Sequence, residues 1–260
     1  MASFKIAEIA IIFLGLALLG PANATTIIVD PGHSIQAAIY AARPGDIVEV
    51  HGGVYYEHLN VNKKLTLKGL NMPLLDATAS GSAIILSADG VFLQGFRTIN
   101  SGRWPSDGSE EAGIKVISNN NVMENNNASN NSNGIFITGG KNNTVTGNTA
   151  NGNLGFGIKL TNCSENVIFR NNFDHNYRNN AHDDGANHWD NGTTGNHYSD
   201  FDSPAEGCKD TNDNGICDSS HAIPGGLNTD HHPSVHLFLS LRTAILLGIA
   251  GSLGQNSDCF

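Results

Sequence analysis

Positive charge is scarce in this sequence. There are 14 lysines and arginines against 24 aspartates and glutamates, a formal net charge of -10 over 260 residues. A nucleic-acid partner needs a basic footprint, so that class is excluded; a solvated acidic surface or cation binding is compatible. Soft sulfur ligands are scarce too. The chain has three methionines, the initiator among them, and four cysteines with no Cys-x-x-Cys spacing. Copper(I) favours such ligands, so a copper-carrying role is unsupported by the residues. No nucleophile motif is present: Gly32-His33-Ser34 lacks the strand–elbow–helix setting that an activated serine requires. Trp104 and Trp189 are the two tryptophans and read as packing residues rather than sugar platforms.

Long apolar runs occur only at the ends. Lys5, the run Ile9 to Leu19, and Ala22-Asn23-Ala24 have the order of a signal peptide with an A-x-A cleavage site. Residues 1–24 are therefore expected to be removed, leaving a chain that starts near Thr25 outside the cytoplasm. The run is short of the roughly 20 residues that span a bilayer. Residues 235–260 form an apolar tail. Within it, 237–254 carries Arg242 near its centre, which costs about 2.5–3.5 kcal/mol at mid-bilayer. A membrane anchor, an apolar helix docked on the domain and a loose tail all remain open for it. Four cysteines fit an oxidising compartment. Cys208 and Cys217 are close enough to staple one loop.

Between the ends, asparagine and glycine recur in step with apolar residues. Segments starting at Gly113 (GIKV), Gly134 (GIFI) and Gly157 (GIKL) superimpose, and Val122, Val145 and Ile168 follow at intervals of 23, as do Asn125, Asn148 and Asn171. Self-similarity at this period marks a solenoid, here one turn of a parallel β-helix per repeat. Ile114, Val116, Ile135, Ile137, Ile158 and Leu160 share strand parity, so they face one side and stack at about 4.8 Å. Lys115, Phe136 and Lys159 then point outward. Asparagine tolerates the left-handed backbone of tight corners, and stacked asparagine amides hydrogen-bond along the stack. Shorter apolar runs extend the coil upstream, and residues 101–112 interrupt it as an inserted loop. Open end strands are aggregation templates. Residues 34–42 supply a cover, with Ser34 as N-cap and Ile35, Ala38, Ile39 and Ala42 on one helical face.

The stretch SIQAAIYAARPGDIVEVHGGVYYEHLNVNKKLTLKGLN (34–71) resembles the opening turns of pectin-lyase-like right-handed β-helices. Within them it is most similar to the NosD-type group, with its carbohydrate-binding and sugar-hydrolase-like repeats. A second stretch resembles that group's closing segment: Asn187, Trp189 to Gly192, Gly195-Asn196, Ser199 to Phe201, Asp210 to Asp218, Ile223-Pro224 and Asp230 to Pro233. His197-Tyr198 stands where the group has two aromatics. The resemblance covers about residues 25–234. It implies an all-β fold, a single-stranded right-handed parallel β-helix over 25–185 with a short N-terminal capping helix, and a loop-rich C-terminal cap over 186–234. It also implies export to the periplasm or outer cell surface. Founding members of the group help mature the copper centre of nitrous oxide reductase, but fold-level likeness does not carry function.

Three candidate sites follow from residue types. Asp210, Asn212, Asn214, the Ile216 carbonyl and Asp218 hold positions 1, 3, 5, 7 and 9 of a calcium-type loop, with Gly215 at the sharp turn. His221 replaces the closing glutamate, so the loop is either a structural calcium site or an Asx-rich turn. His175, His182, His188 and His197 lie among Asp183, Asp184 and Asp190 but match no metal spacing. Lys115, Phe136 and Lys159 form an outward row that would stack a sugar ring or hold a uronate, or else a solvated face. A lyase needs a base beside a cation, and no carboxylate shares that row. The expected function is therefore a non-catalytic binding or scaffold role towards a polysaccharide, carbohydrate or cell-surface partner protein. A polysaccharide lyase or epimerase, and an accessory factor for a copper enzyme, are the alternatives.

Overall fold

A computed structural model describes residues 24–102 and 110–239. The strands stack on three faces as a parallel β-helix of about seven turns. One face is an eight-stranded sheet that starts with Thr26–Val29 and Ile47–His51 and ends with Ser164–Phe169 and Ala186–His188. The second is a six-stranded sheet from Leu59–Val61 to Asn179–Asp183. The third runs from Val54–Tyr55 through Arg97–Ile99, bridges at Asn127, and continues from Thr149–Asn151 to His197–Tyr198. The signal-peptide segment and residues 240–260 of the tail lie outside the described residues. Among those described, no helix is long and apolar enough to cross a membrane.

The strand-parity expectation holds. Ile114, Ile135 and Ile158 form one register column, Val116, Ile137 and Leu160 the next, and all six are fully buried. A third column, on the first sheet, contains Val48, Leu67, Leu93, Met123, Val145 and Ile168. Here the expected register is one residue out. Val145 stacks on Met123, and Val122 sits half-buried on the outer surface against Phe92 and Thr144. The physical reason is turn length. Asn126 to Asn148 is 22 residues, whereas Asn148 to Asn171 is 23. A one-residue change reverses which side chains face inward.

The same slip moves one asparagine column. The ladder is Asn126, Asn148, Asn171 and Asn196, not Asn125. Each amide oxygen accepts both the main-chain N–H and the side-chain N–H of the asparagine one turn earlier. Asn126 N and Nδ2 donate to Asn148 Oδ1 at 2.9 and 3.0 Å, and Asn148 N and Nδ2 to Asn171 Oδ1 at 2.9 and 3.0 Å. Asn121–Asn143–Asn166–Asn187 repeats the device at a second corner, and Asn131–Asn153–Asn176 at a third, where Asn131 Nδ2 turns instead to the Thr98 and Ser129 carbonyls. A left-handed residue directly precedes most ladder positions, with Asn125 at φ 53°, Gly147 at 66° and Arg170 at 57°. Each corner thus uses two adjacent residues, one for the backbone turn and one for the buried amide. Both tasks favour asparagine, which explains its abundance.

Both ends of the coil are covered. At the first, helix Ile35–Ala41 buries Ile35, Ala38 and Ile39, with Ala42 buried just beyond its end. Ser34 Oγ accepts from Ala37 N, and the Glu57 carboxylate accepts from Ile35 N and Gln36 N at 2.9 and 3.0 Å. At the helix C-terminus the Lys63 ammonium donates to the carbonyls of Ile39, Tyr40 and Ala42. A carboxylate at one pole and an ammonium at the other match the helix dipole. At the far end, the column through Leu160 terminates in Asp183. This buried carboxylate accepts from Trp189 Nε1 and Gly185 N, both at 2.8 Å. Residues beyond Trp189 then fold over the last turn. They include an antiparallel pair, His221–Ala222 with Thr229–Asp230, and a Cys208–Cys217 disulfide with Cα atoms 4.9 Å apart.

Candidate functional site

The outward row is in register. Lys115, Phe136, Lys159 and His182 occupy successive turns of the second sheet. The aromatic is not presented to solvent, however: Phe136 is 7% exposed. The ammonium groups of Lys115 and Lys159 lie 5.8 and 5.7 Å from its ring centre. Carboxylates missing from the row itself arrive from the edge of the inserted loop. Glu110 takes Lys159 Nζ at 2.6 and 2.8 Å, and Glu111 lies 3.9 Å from Lys115 Nζ. Each lysine is thus committed to a glutamate and to a ring face, a cation–π arrangement strengthened by partial burial. Sequence reasoning missed Glu110 and Glu111 because the loop breaks the repeat, and only the repeat assigns neighbours.

The acidic loop turns most of its oxygens inward on its own backbone. Asp210 accepts from Asn214 N at 3.1 Å and Gly215 N at 2.7 Å. Asn212 Oδ1 accepts from Asn214 N, and Asn214 Oδ1 from Ile216 N. Asp218 faces Thr211, whose N–H and hydroxyl donate to it at 3.0 and 2.7 Å. Gly215 takes φ 82° at the sharp turn. The half-buried His221 ring packs 4.5 Å from Tyr198 and 4.6 Å from Phe201, and burial lowers its pKa.

The histidines do not converge. His182 packs on Phe156, His188 lies beside Glu165, His197 beside Asp202, and His175 beside Asp174. Among the described residues, no three His, Cys, Asp or Glu side chains form a group able to hold a metal. Among the described residues, the one exposed sulfur is the Met72 thioether, which stands alone on the groove side, and the others are committed elsewhere. Cys208 and Cys217 are joined, Met123 is in the core, and Cys163 is buried with its thiol directed at the Ile137 and Thr161 carbonyls. Burial pushes the Cys163 thiol above its ordinary pKa, the opposite of what a thiolate ligand needs. The described donor set does not fit copper.

A groove of about 550 Å³ runs along the corner between the first and third faces, across the turns carrying Gly69, Gly95, Asn125, Gly147 and Asn172. Its floor is close main chain: a Cβ on Gly95 would lie 2.5 Å from the Gly69 carbonyl oxygen. One end holds the chain's own Leu237, Phe238 and Leu239. Asn172 Oδ1 accepts from Phe238 N at 2.8 Å, and Asn172 Nδ2 donates to Phe238 O at 2.9 Å. The Arg170 guanidinium lies 5.5 Å from the Phe238 ring centre. No sequence pattern singled out these residues. Outward parity on the third face was the available signal, and the tail's placement was not encoded in it.

A protein-family model described as "Periplasmic copper-binding protein (NosD)" matches residues 51–203. No curated protein and no solved structure matches the chain. The matched span exceeds half of the 260 residues and includes most of the coil, its asparagine ladders and the start of the closing segment, so the chain belongs to the NosD family of parallel β-helix proteins.

Proposed function

We propose that this protein is an exported, periplasmic NosD-family member that binds and scaffolds without catalysing, its ligand a carbohydrate or a partner protein. The observation that carries this reading is the state of the outward row. A lyase or epimerase needs a free base beside an accessible cation. Here Lys159 is held by Glu110 and Phe136 is covered. An unsaturated-uronate absorbance assay on pectate- and alginate-type polymers should show no product, with or without calcium. Product formation would overturn the reading in favour of a polysaccharide lyase. Whether 237–254 adds a membrane attachment is tested by fractionation after alkaline washing. The family description supports the periplasm over the outer surface. The accessory role in copper-enzyme maturation is the further alternative, and stoichiometric copper in the purified protein would establish it over the donor-set argument.

The loop Asp210, Asn212, Asn214, Ile216 and Asp218 is proposed as a structural calcium site, with Asp218 leaving Thr211 to join the ion. Calcium at ten times its Kd should then raise stability by about 1.4 kcal/mol, read as a higher melting temperature. Asp210→Asn should abolish that rise. An unchanged melting temperature at millimolar calcium leaves only an Asx-rich turn.

A further inference from the structure

We propose that the corner groove is a peptide-binding site, made for an extended apolar polypeptide segment of a partner protein, and that Leu237–Phe238–Leu239 is the resident occupant of its last subsite. This rests on the binding reading above and names the ligand class. Three observations lead to it.

The first is what Asn172 does. Its side chain meets both the N–H and the C=O of one residue, Phe238, at 2.8 and 2.9 Å. That donor–acceptor pairing matches a polypeptide main chain, as in strand addition, where the backbone supplies affinity and pockets supply side-chain preference. Arg170 on the Phe238 ring adds the side-chain preference.

The second is the chemistry of the wall. It combines amides and a hydroxyl (Asn127, Asn151, Thr149) with apolar side chains (Leu70, Met72), and no carboxylate or ammonium group lines it. A uronate polymer would find counter-charge only at the borders, at Arg170 beside Phe238 and at Arg97 one turn before Asn127, and a neutral sugar no ring platform apart from Phe238 itself. A polypeptide needs only amides and apolar contacts.

The third is unmet hydrogen-bonding capacity. Asn127, Thr149 and Asn172 stand in one register row on successive turns, so the element that reads Phe238 has neighbours at the turn pitch. The Asn127 and Asn151 amide oxygens are buried without a hydrogen-bond partner. A buried acceptor without a donor forfeits the hydrogen bonds that water would give it. Asparagine χ2 is broad, so rotation brings either oxygen to an N–H donor entering the groove. The five turns of the floor, at about 4.8 Å each, span about 19 Å, roughly six extended residues.

The test uses the full chain and a fluorescein-labelled peptide, His-Leu-Phe-Leu-Ser-Leu, copied from residues 236–241. In a variant with Leu237, Phe238 and Leu239 all changed to serine, the peptide should bind at least tenfold tighter than to the parent, because the resident no longer competes. Adding Asn172→Ala should reverse that gain tenfold or more. Thr149→Trp, on the outward wall, should block binding while leaving the melting temperature unchanged. Binding no tighter in the serine variant, or indifferent to both Asn172→Ala and Thr149→Trp, overturns the proposal. So does displacement of the peptide by a neutral oligosaccharide mixture, although that result would preserve the non-catalytic binding reading. Product in the uronate assay would instead defeat that reading and leave the groove's ligand class standing.

Discussion

Asn148→Ala is expected to lose about 4 kcal/mol of stability, with a correspondingly lower urea midpoint. The estimate follows from what the side chain leaves behind. Asn148 Oδ1 accepts the Asn126 main-chain N–H and side-chain N–H, and its Nδ2 donates to Met123 O at 2.8 Å and Thr146 O at 3.1 Å. Alanine removes these four bonds and the Asn148 Nδ2 bond to Asn171 Oδ1, five in all, in a place where both asparagines are fully buried or nearly so. Asn126 N–H and the Met123 carbonyl then lose these partners with no water to replace them. Each unsatisfied buried group costs about 1–3 kcal/mol, and the lost amide–amide bond adds to that. Asn171 is spared, because the main-chain N–H of residue 148 still reaches its Oδ1. Asn148→Asp should be no better at neutral pH: it keeps the acceptor, loses all three bonds donated by the side chain and buries a charge.

The informative comparison lies one residue off the ladder, on the preceding turn. Asn125 is the residue whose 23-residue spacing to Asn148 suggests a ladder position, yet it holds the left-handed turn at φ 53°. Asn125→Gly should therefore change stability by no more than about 0.5 kcal/mol, since glycine takes that backbone freely. If Asn125→Gly were the costly variant and Asn148→Ala the mild one, the ladder as described would be wrong.

That pair also marks how far the sequence can be read. The inward parity of Ile114, Ile135 and Ile158, and the stacking of asparagine amides, were both legible, because a strand alternates with period two and a solenoid repeats its corners. The register between turns was not, because corner lengths differ. Spacing alone cannot say whether Val122 or Met123 faces Val145. The outward row was legible as a row but not as a covered one, since its covering carboxylates, Glu110 and Glu111, come from a segment outside the repeat. The groove was least legible. Its key contact joins Asn172 to Phe238, 66 residues apart, and no periodicity links them.

The second large effect is a pH dependence carried by Asp230. This carboxylate is fully buried in the closing segment. Its Oδ2 accepts from Asn196 N at 2.8 Å and from Tyr198 Oη at 3.1 Å, and its Oδ1 from His232 N at 2.9 Å. Gly195 is bare beside it: a Cβ there would lie within 1.9 Å of Oδ1. Burial raises the pKa and outweighs the lowering by these donors, so the group is pushed up to about 6 from an ordinary 3.8. The folded state therefore holds the proton more tightly than the unfolded chain. The associated stability is fully present below pH 3.8 and is lost as pH rises through 6. A shift of this size corresponds to about 3 kcal/mol. Other carboxylates oppose the trend, among them Asp190, where bonds from His231 and Gly192 outweigh burial and hold the pKa low. The measurement is therefore a difference. The stability of the parent minus that of Asp230→Asn, from urea unfolding at pH 4 and pH 7, should fall by about 2.4 kcal/mol over that interval, the rest having been lost already by pH 4. Asparagine cannot ionise, but it must turn an N–H towards a donor, so the variant is the weaker protein at pH 4. A difference independent of pH would mean that Asp230 titrates as it does in water, and that the cap over the last turn admits solvent to its centre.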